Sequence, residues 1–329
     1  AFHAFNYFFV ELDQKNKLTG KMLFRTVFLL LAVAFAFAEQ NIRTTVPHYG
    51  EKFVLGKHTY SSKHEFILSG KRCGTKELSE VEMDEIEYDL ASVPDSDEFA
   101  KGGKVRIPVY FHVIKNTNGD GDLSETDIAN QIEVMNTAFK KTNFKFWLKD
   151  VDVTVNDDWF SLPIQSQEEK DMKSTLRRGG KKALNIYTVE NDQGILGWAT
   201  FPPAYKNKPD EDGVVIDVNT LPGGNFAPYN EGITLVHEVG HWMGLYHTFQ
   251  NGCNKAARKG DKVGDTPAVA SPNFGCPPDD TDSCPGNKRQ LKGNDLVHNY
   301  MDYGDDSCLT SFTYGQNKRM DRMWQKYRM

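Results

Sequence analysis

The run His237–His247, HEVGHWMGLYH, constrains this chain more than any other stretch. Each residue of an α-helix turns by roughly 100°, so His237 and His241 lie one turn apart on the same face and can reach one metal ion. His247 would point well to one side if the helix ran on. Gly244 removes that difficulty, because glycine tolerates the left-handed conformation that ends helices and lets the chain turn back. Three histidines leave the fourth tetrahedral position open for water, the arrangement of a catalytic rather than a structural zinc. Glu238, beside the first of them, is placed to take a proton from that water. A buried core helix would account for His237 and His241 alone, but not for Gly244 and His247 at fixed distances beyond them.

A chain of 329 residues allows one large domain or two smaller ones. Hydrophobic residues make up 39% and charged residues 26%, enough for a sizeable core. A net charge of -6 gives no reason to expect nucleic acid or an anionic membrane as partner. Of five cysteines, Cys73 stands alone early, whereas Cys253, Cys276, Cys284 and Cys308 follow the histidine motif. Four cysteines permit three pairings, and spacing does not choose among them.

From Met22 the sequence reads MLFRTVFLLLAVAFAFAEQ, with twelve apolar residues over Val27–Ala38 after Arg25. Ala36-Phe37-Ala38 supplies a small-x-small processing site, so residues 22–38 are expected to be a signal peptide cleaved before Glu39. The run is too short for a membrane span, which needs about 20 residues. Residues 1–21 precede Met22 and read as upstream leader sequence. Secretion into an oxidising compartment suits paired cysteines. The sequence contains no Asn-x-Ser/Thr acceptor for N-glycosylation.

Residues 39–103 are polar and uneven. Their acidic run over 77–98 reads as a solvated face or a loosely ordered segment. VRIPVYFHVI, residues 105–114, reads as a buried strand, and the domain boundary falls just before it, near AKGGK at 100–104. Asn116, Asn118, Asp120 and Gly121 look like the opening of a calcium loop. Ser124 with Asp127 instead makes a capping box for a helix over 125–140, which is the preferred reading. Further strands are expected over 144–155, 183–189, 194–201 and 213–218, with helices around 168–177 and 314–328. This gives a sheet of about five strands with the histidine helix packed beneath it, then a loop-rich region that needs staples.

The motif HExxHxxGxxH followed by a methionine-bearing turn, here Asn299–Tyr303, resembles the metzincin zinc metalloproteases. VRIPVYFHVI, LGWATFP, DGVVIDV, LPGG, TLVHEVGHWMGLYHTF, GDTPA and NYMDY resemble the pappalysin-type branch, peptidase family M43, especially its secreted fungal-like members. These elements span about 105–315. The resemblance implies an α+β fold: a twisted mixed sheet with helices in an upper subdomain, an irregular disulfide-stapled lower subdomain, and a substrate cleft between them. It implies His237, His241 and His247 as zinc ligands, Glu238 as general base, Met301 as a hydrophobic floor under the metal, and Tyr303 as a group steadying the oxyanion. It also implies that Gly197-Trp198-Ala199 is the edge strand that pairs with an extended substrate. Disulfides Cys253–Cys284 and Cys276–Cys308 and a calcium site at Asp261, Asp265 and Thr266 follow from resemblance alone. Cys73, within Arg72-Cys73-Gly74, resembles the cysteine switch of latent metzincins, in which a thiolate fills the open metal position. A lone reactive thiol or an intermolecular bridge is the alternative for it.

The function expected is therefore a secreted zinc endopeptidase acting on protein or peptide substrates. It would be made as a zymogen with residues 39–103 as prosegment and 104–329 as catalytic domain, and released by an activating protease. A zinc amidase of non-peptide substrates and a catalytically silent binding protein are the alternatives. Asp305 and Asp306, after the methionine turn, either border a primed-side pocket that favours basic side chains or are solvated loop acids.

Overall fold

The computed structural model describes residues 51–94, 103–253, 260–285 and 293–329. The expected leader, the signal peptide and most of the 100–104 cleavage region lie outside the described residues.

Strand β1 (Phe53–Leu55) pairs antiparallel with β2 (His58–Tyr60), and helices α1 (Lys63–Leu68) and α2 (Glu80–Leu90) follow. Next come β3 (Val105–Lys115), α3 (Glu125–Ala138), β4 (Phe144–Val155), α4 (Gln167–Leu176) and β5 (Leu184–Val189). The last elements are β6 (Gly197–Ala199), β7 (Val214–Asp217), α5 (Ile233–Trp242) and α6 (Tyr314–Met323). Five strands form one sheet in the order β4-β3-β5-β7-β6. All neighbours in it are parallel except β6, which runs antiparallel to β7 and forms one edge.

The period-2 alternation of strands divides the core. Val109 and Phe111 of β3, Leu184 and Ile186 of β5 and Val214 and Ile216 of β7 face α3 and α5 on one side. Tyr187, Val189, Trp198 and Val215 face Met172 of α4 and Phe160 on the other. Ser124 caps α3 in a reciprocal capping box with Asp127, as the sequence indicates. Pro108 sits inside β3 without disrupting the sheet, because the pairing with β5 begins only at Val109.

Of the two readings of the acidic run, a solvated face holds and a loosely ordered segment does not: residues 80–90 form helix α2, capped by Ser79 and Glu82, with Met83, Ile86 and Leu90 buried. Their spacing of three and four places them on one face, and the acids, with exposed Val81 and Tyr88, occupy the rest. More broadly, residues 51–94 are packed into the molecule. Leu55, Tyr60, Phe66 and Ile67 share a core cluster with Phe226, Tyr229 and Tyr303.

Beyond α5 the chain is irregular up to α6. It is stapled by the disulfides Cys253–Cys284 and Cys276–Cys308, and Cys73 remains a free, buried thiol.

Candidate active site

Helix α5 is buried along its whole length, packed between the sheet and the loop region. It ends where Gly244 adopts φ +96, and a Cβ there would collide with Met323 of α6. That left-handed turn brings His247 back to the two helical histidines. The Nε2 atoms of His237, His241 and His247 stand 3.1 to 3.2 Å from one another. The Nδ1 of His237 donates to the Tyr300 carbonyl at 2.7 Å and that of His241 to the Leu245 carbonyl at 2.8 Å. With the protons held on Nδ1, the Nε2 lone pairs of these two rings point at a common centre, as metal-binding histidines require.

Cys73 completes the group. Its Sγ lies 3.6 Å from His241 Nε2, and the four ligand atoms all fall within 4.8 Å of one another. A tetrahedral zinc with bonds of about 2.0–2.1 Å to nitrogen and about 2.3 Å to sulfur would hold its nitrogens about 3.3 Å apart, with sulfur about 3.6 Å from nitrogen. The three histidine nitrogens match this spacing, and Cys73 matches it at His241, so the donor set suits zinc. Burial, followed by the neighbouring imidazoles, pushes His237 and His247 well below their ordinary values, and burial lowers His241 to about 4. The histidines are thus neutral, the form that binds metal.

Around this centre the remaining predicted residues take distinct places. Met301 is fully buried beneath α5, and its sulfur occupies the space a Cβ at Gly240 would need. The Tyr303 hydroxyl lies 3.2 Å from His247 Nε2. Glu238 is buried, Oε2 accepting from the Thr75 hydroxyl at 2.7 Å and Oε1 having no hydrogen-bond partner. Burial raises its carboxyl to about 7, against the pull of the Thr75 hydrogen bond.

The edge strand β6 is already occupied. Leu196 donates to the Lys71 carbonyl, Gly74 to the Gly197 carbonyl, and the Ala199 amide to the Thr75 hydroxyl. A Cβ at Gly74 would press on the side-chain ends of Ile164 and Ile195. Thr75 bridges β6 and Glu238 at once, a role the sequence reading missed; its nearness to Cys73 in sequence was the available signal.

Arg72 was also missed as a site residue. It is fully buried, donates to Thr234 Oγ1 at 3.1 Å, lies over the Tyr229 ring at 4.9 Å, and has Asp306 at 3.7 Å. Asp306 Oδ2 accepts from the amides of Glu231 and Ile233 at the start of α5. Asp305 pairs with Lys63 at 2.9 Å. These acids are not solvated loop residues.

The calcium candidates are only partly brought together. The Thr266 hydroxyl is 2.7 Å from Asp261 Oδ1, and Asp261 Oδ2 is buried without a partner. Asp265 is committed elsewhere, accepting from Thr313 Oγ1 and the Gly315 amide at the start of α6.

Comparison with known proteins agrees with this geometry. Residues 180–325 match the family model for peptidase M43, described as pregnancy-associated plasma protein-A. An extracellular metalloprotease of Neurospora crassa is 40% identical over 259 residues, covering 77% of this chain and 84% of that protein. One from Verticillium alfalfae is 38% identical over 314 residues, covering 93% of this chain and all of its own length. Among solved structures, mirolysin in complex with a small-molecule compound superposes with a TM-score of 0.59 at 29% identity, covering 68% of this chain and 92% of that one. A promirolysin mutant from Tannerella forsythia gives 0.62 at 26% identity, covering 78% and 94%. With relatives of this closeness along most of its length and their fold in common, the chain belongs to the pappalysin-type M43 metallopeptidases.

Proposed function

We propose that this protein is a secreted zinc endopeptidase made as a latent zymogen, and that Glu238 is its general base. The observation that carries the reading is the convergence of three Nε2 atoms beside a buried carboxylate whose Oε1 has no partner. His237, His241 and His247 would hold the zinc. When bound, zinc supplies a Lewis acid that polarises the scissile carbonyl and acidifies water. Glu238 accepts the proton of the attacking water and returns it to the leaving amine. Tyr303, beside His247, donates from its hydroxyl to the oxygen on which charge develops. An extracellular location is supported by the relatives in Neurospora crassa and Verticillium alfalfae, both extracellular metalloproteases.

Latency would rest on residues 71–75. Cys73 takes the fourth ligand position, Thr75 engages Glu238, and Lys71–Thr75 fill the edge of β6 where an extended substrate would pair. Mature mirolysin has been solved with a cleaved peptide, which supports peptide substrates for this chain as well. Cleavage near 100–104 by an activating protease would begin release. Once Arg72 and Lys63 leave, Asp306 and Asp305 are free for a basic primed-side residue of the substrate. A calcium ion is supported at Asp261 and Thr266.

Casein cleavage by the matured enzyme tests the reading, with Glu238→Ala and a zinc chelator alongside. Wild-type cleavage abolished by both is the expected result. Activity surviving Glu238→Ala would sink the proposed base, and a folded, zinc-loaded wild type that cleaves no protein or peptide would sink the peptidase.

A further inference from the structure

Helix α2 is bound by residues that have no part in the metal centre. Lys262 Nζ meets Asp84 at 2.8 Å, Arg319 meets Glu87 at 2.6 Å, and Lys326 meets Asp89 at 3.3 Å. Tyr327 donates its hydroxyl to Asp89 at 3.0 Å, and Arg322 donates to the Leu90 carbonyl at the helix C-terminus. Beneath these polar contacts Met83 packs with Phe201 and Tyr246, while Ile86 and Leu90 pack with Met323 and Tyr327. An amphipathic acidic helix thus lies in a cradle with an apolar floor and a basic rim, built on α6 and its C-terminal extension.

The cradle is complementary in charge and in pattern to one occupant. If α2 departed, Lys262, Arg319 and Lys326 would lose acidic partners and Arg322 its bond to the Leu90 carbonyl, and Tyr246, Met323 and Tyr327 would be uncovered together, an apolar patch with a charged border. The hydrogen bonds of residues 71–75 to β6 and Glu238 involve none of the rim residues, although the floor residue Phe201 also packs on His241.

We propose that this cradle is a binding site in its own right, and that after cleavage near 100–104 it retains the chain's own residues 79–94. Peptide-bond hydrolysis is then not the last step of activation. The cut chain remains a complex held partly by charge, and its release depends on ionic strength, because the rim pairs are partly solvated and salt screens them. The inference rests on the zymogen reading for its biological sense, but the binding event can be measured without it.

A synthetic peptide spanning residues 79–94, which lacks Cys73, Arg72 and Thr75, is titrated by fluorescence anisotropy into the full enzyme freed of its prosegment. Saturable binding is expected, weakened about tenfold or more between about 0.05 M and about 0.5 M salt. The Arg322→Glu, Lys326→Glu enzyme should lose that binding while hydrolysing a short peptide at the wild-type rate. In parallel, the full chain carrying Cys73→Ala is cut near 100–104 and passed over a sizing column. The prosegment fragment should co-elute at low salt, and the Arg322→Glu, Lys326→Glu exchange should weaken its retention, since the buried contacts of residues 51–75 then hold it alone. Absence of peptide binding, or binding indifferent to salt and to both charge reversals, would overturn the proposal. If instead the uncut chain is fully active, the zymogen reading fails, and the peptide titration still decides on the cradle.

Discussion

At the scale of single residues, the site is a set of buried groups whose neighbours fix their protons and directions. Glu238→Ala should lower kcat/KM by about 10²–10⁴ with zinc content unchanged, the range expected for losing a general base; parallel metal analysis and kinetics check this. Cys73→Ala should raise the activity of the uncut precursor without bringing it to that of the matured enzyme, because Lys71–Thr75 still cover β6. An uncut Cys73→Ala precursor no more active than the wild-type precursor would count against the switch. Asp217 offers a pH test away from the metal. It is fully buried, its Oδ2 has no partner, and burial raises its carboxyl to about 7. A carboxyl raised in the folded state favours folding while it stays protonated, so its contribution is complete below about pH 4 and is lost as pH rises toward about 7. Asp217→Asn should therefore match the wild type near pH 4 and be more stable at pH 8, by the order of 1–3 kcal/mol, in denaturant titrations at the two pH values.

At the scale of elements, helix α5, its glycine turn and strand β6 are the working parts. Gly244 has both a left-handed backbone and Met323 against it. Gly244→Ala should cost about 1–3 kcal/mol in stability and reduce zinc affinity by displacing His247, which thermal unfolding and zinc titration would report. Most elements were legible as periodicity: β3, β4, β5, β7, α3 and α4 lie within a few residues of where the sequence sets them. Strand β6 is much shorter than its apolar run: Leu196 and Phe201 are buried beyond its ends, the Leu196 carbonyl still accepting from the Asp217 amide of β7. That the acidic run is an ordered helix was not legible because its acids outnumber its apolar residues; the tertiary structure supplies the partners, Phe201 and Tyr246 for Met83 and Met323 of α6 for Ile86 and Leu90.

At the scale of the whole molecule, two disulfides close loops across the irregular region, at sequence separations of 31 and 32. Replacing Cys276 and Cys308 by serine should destabilise by about 3–4 kcal/mol on the loop-entropy estimate, measurable as a lower denaturation midpoint. The sequence by itself set the three-histidine spacing, the adjacent glutamate, the glycine turn and the strand-helix alternation, because each is a short-range spacing and helix or strand geometry converts spacing directly into direction. Only the tertiary structure decided what residues 51–94 do. Cys73 lies 164 residues before His237, and no local periodicity encodes the approach of its sulfur to three histidines, of Thr75 to Glu238, or of Arg72 to Asp306. Those contacts exist because an edge strand with unpaired amides, a buried carboxylate and a basic helix each needed a partner, and the folded chain brings all three within reach of one N-terminal segment.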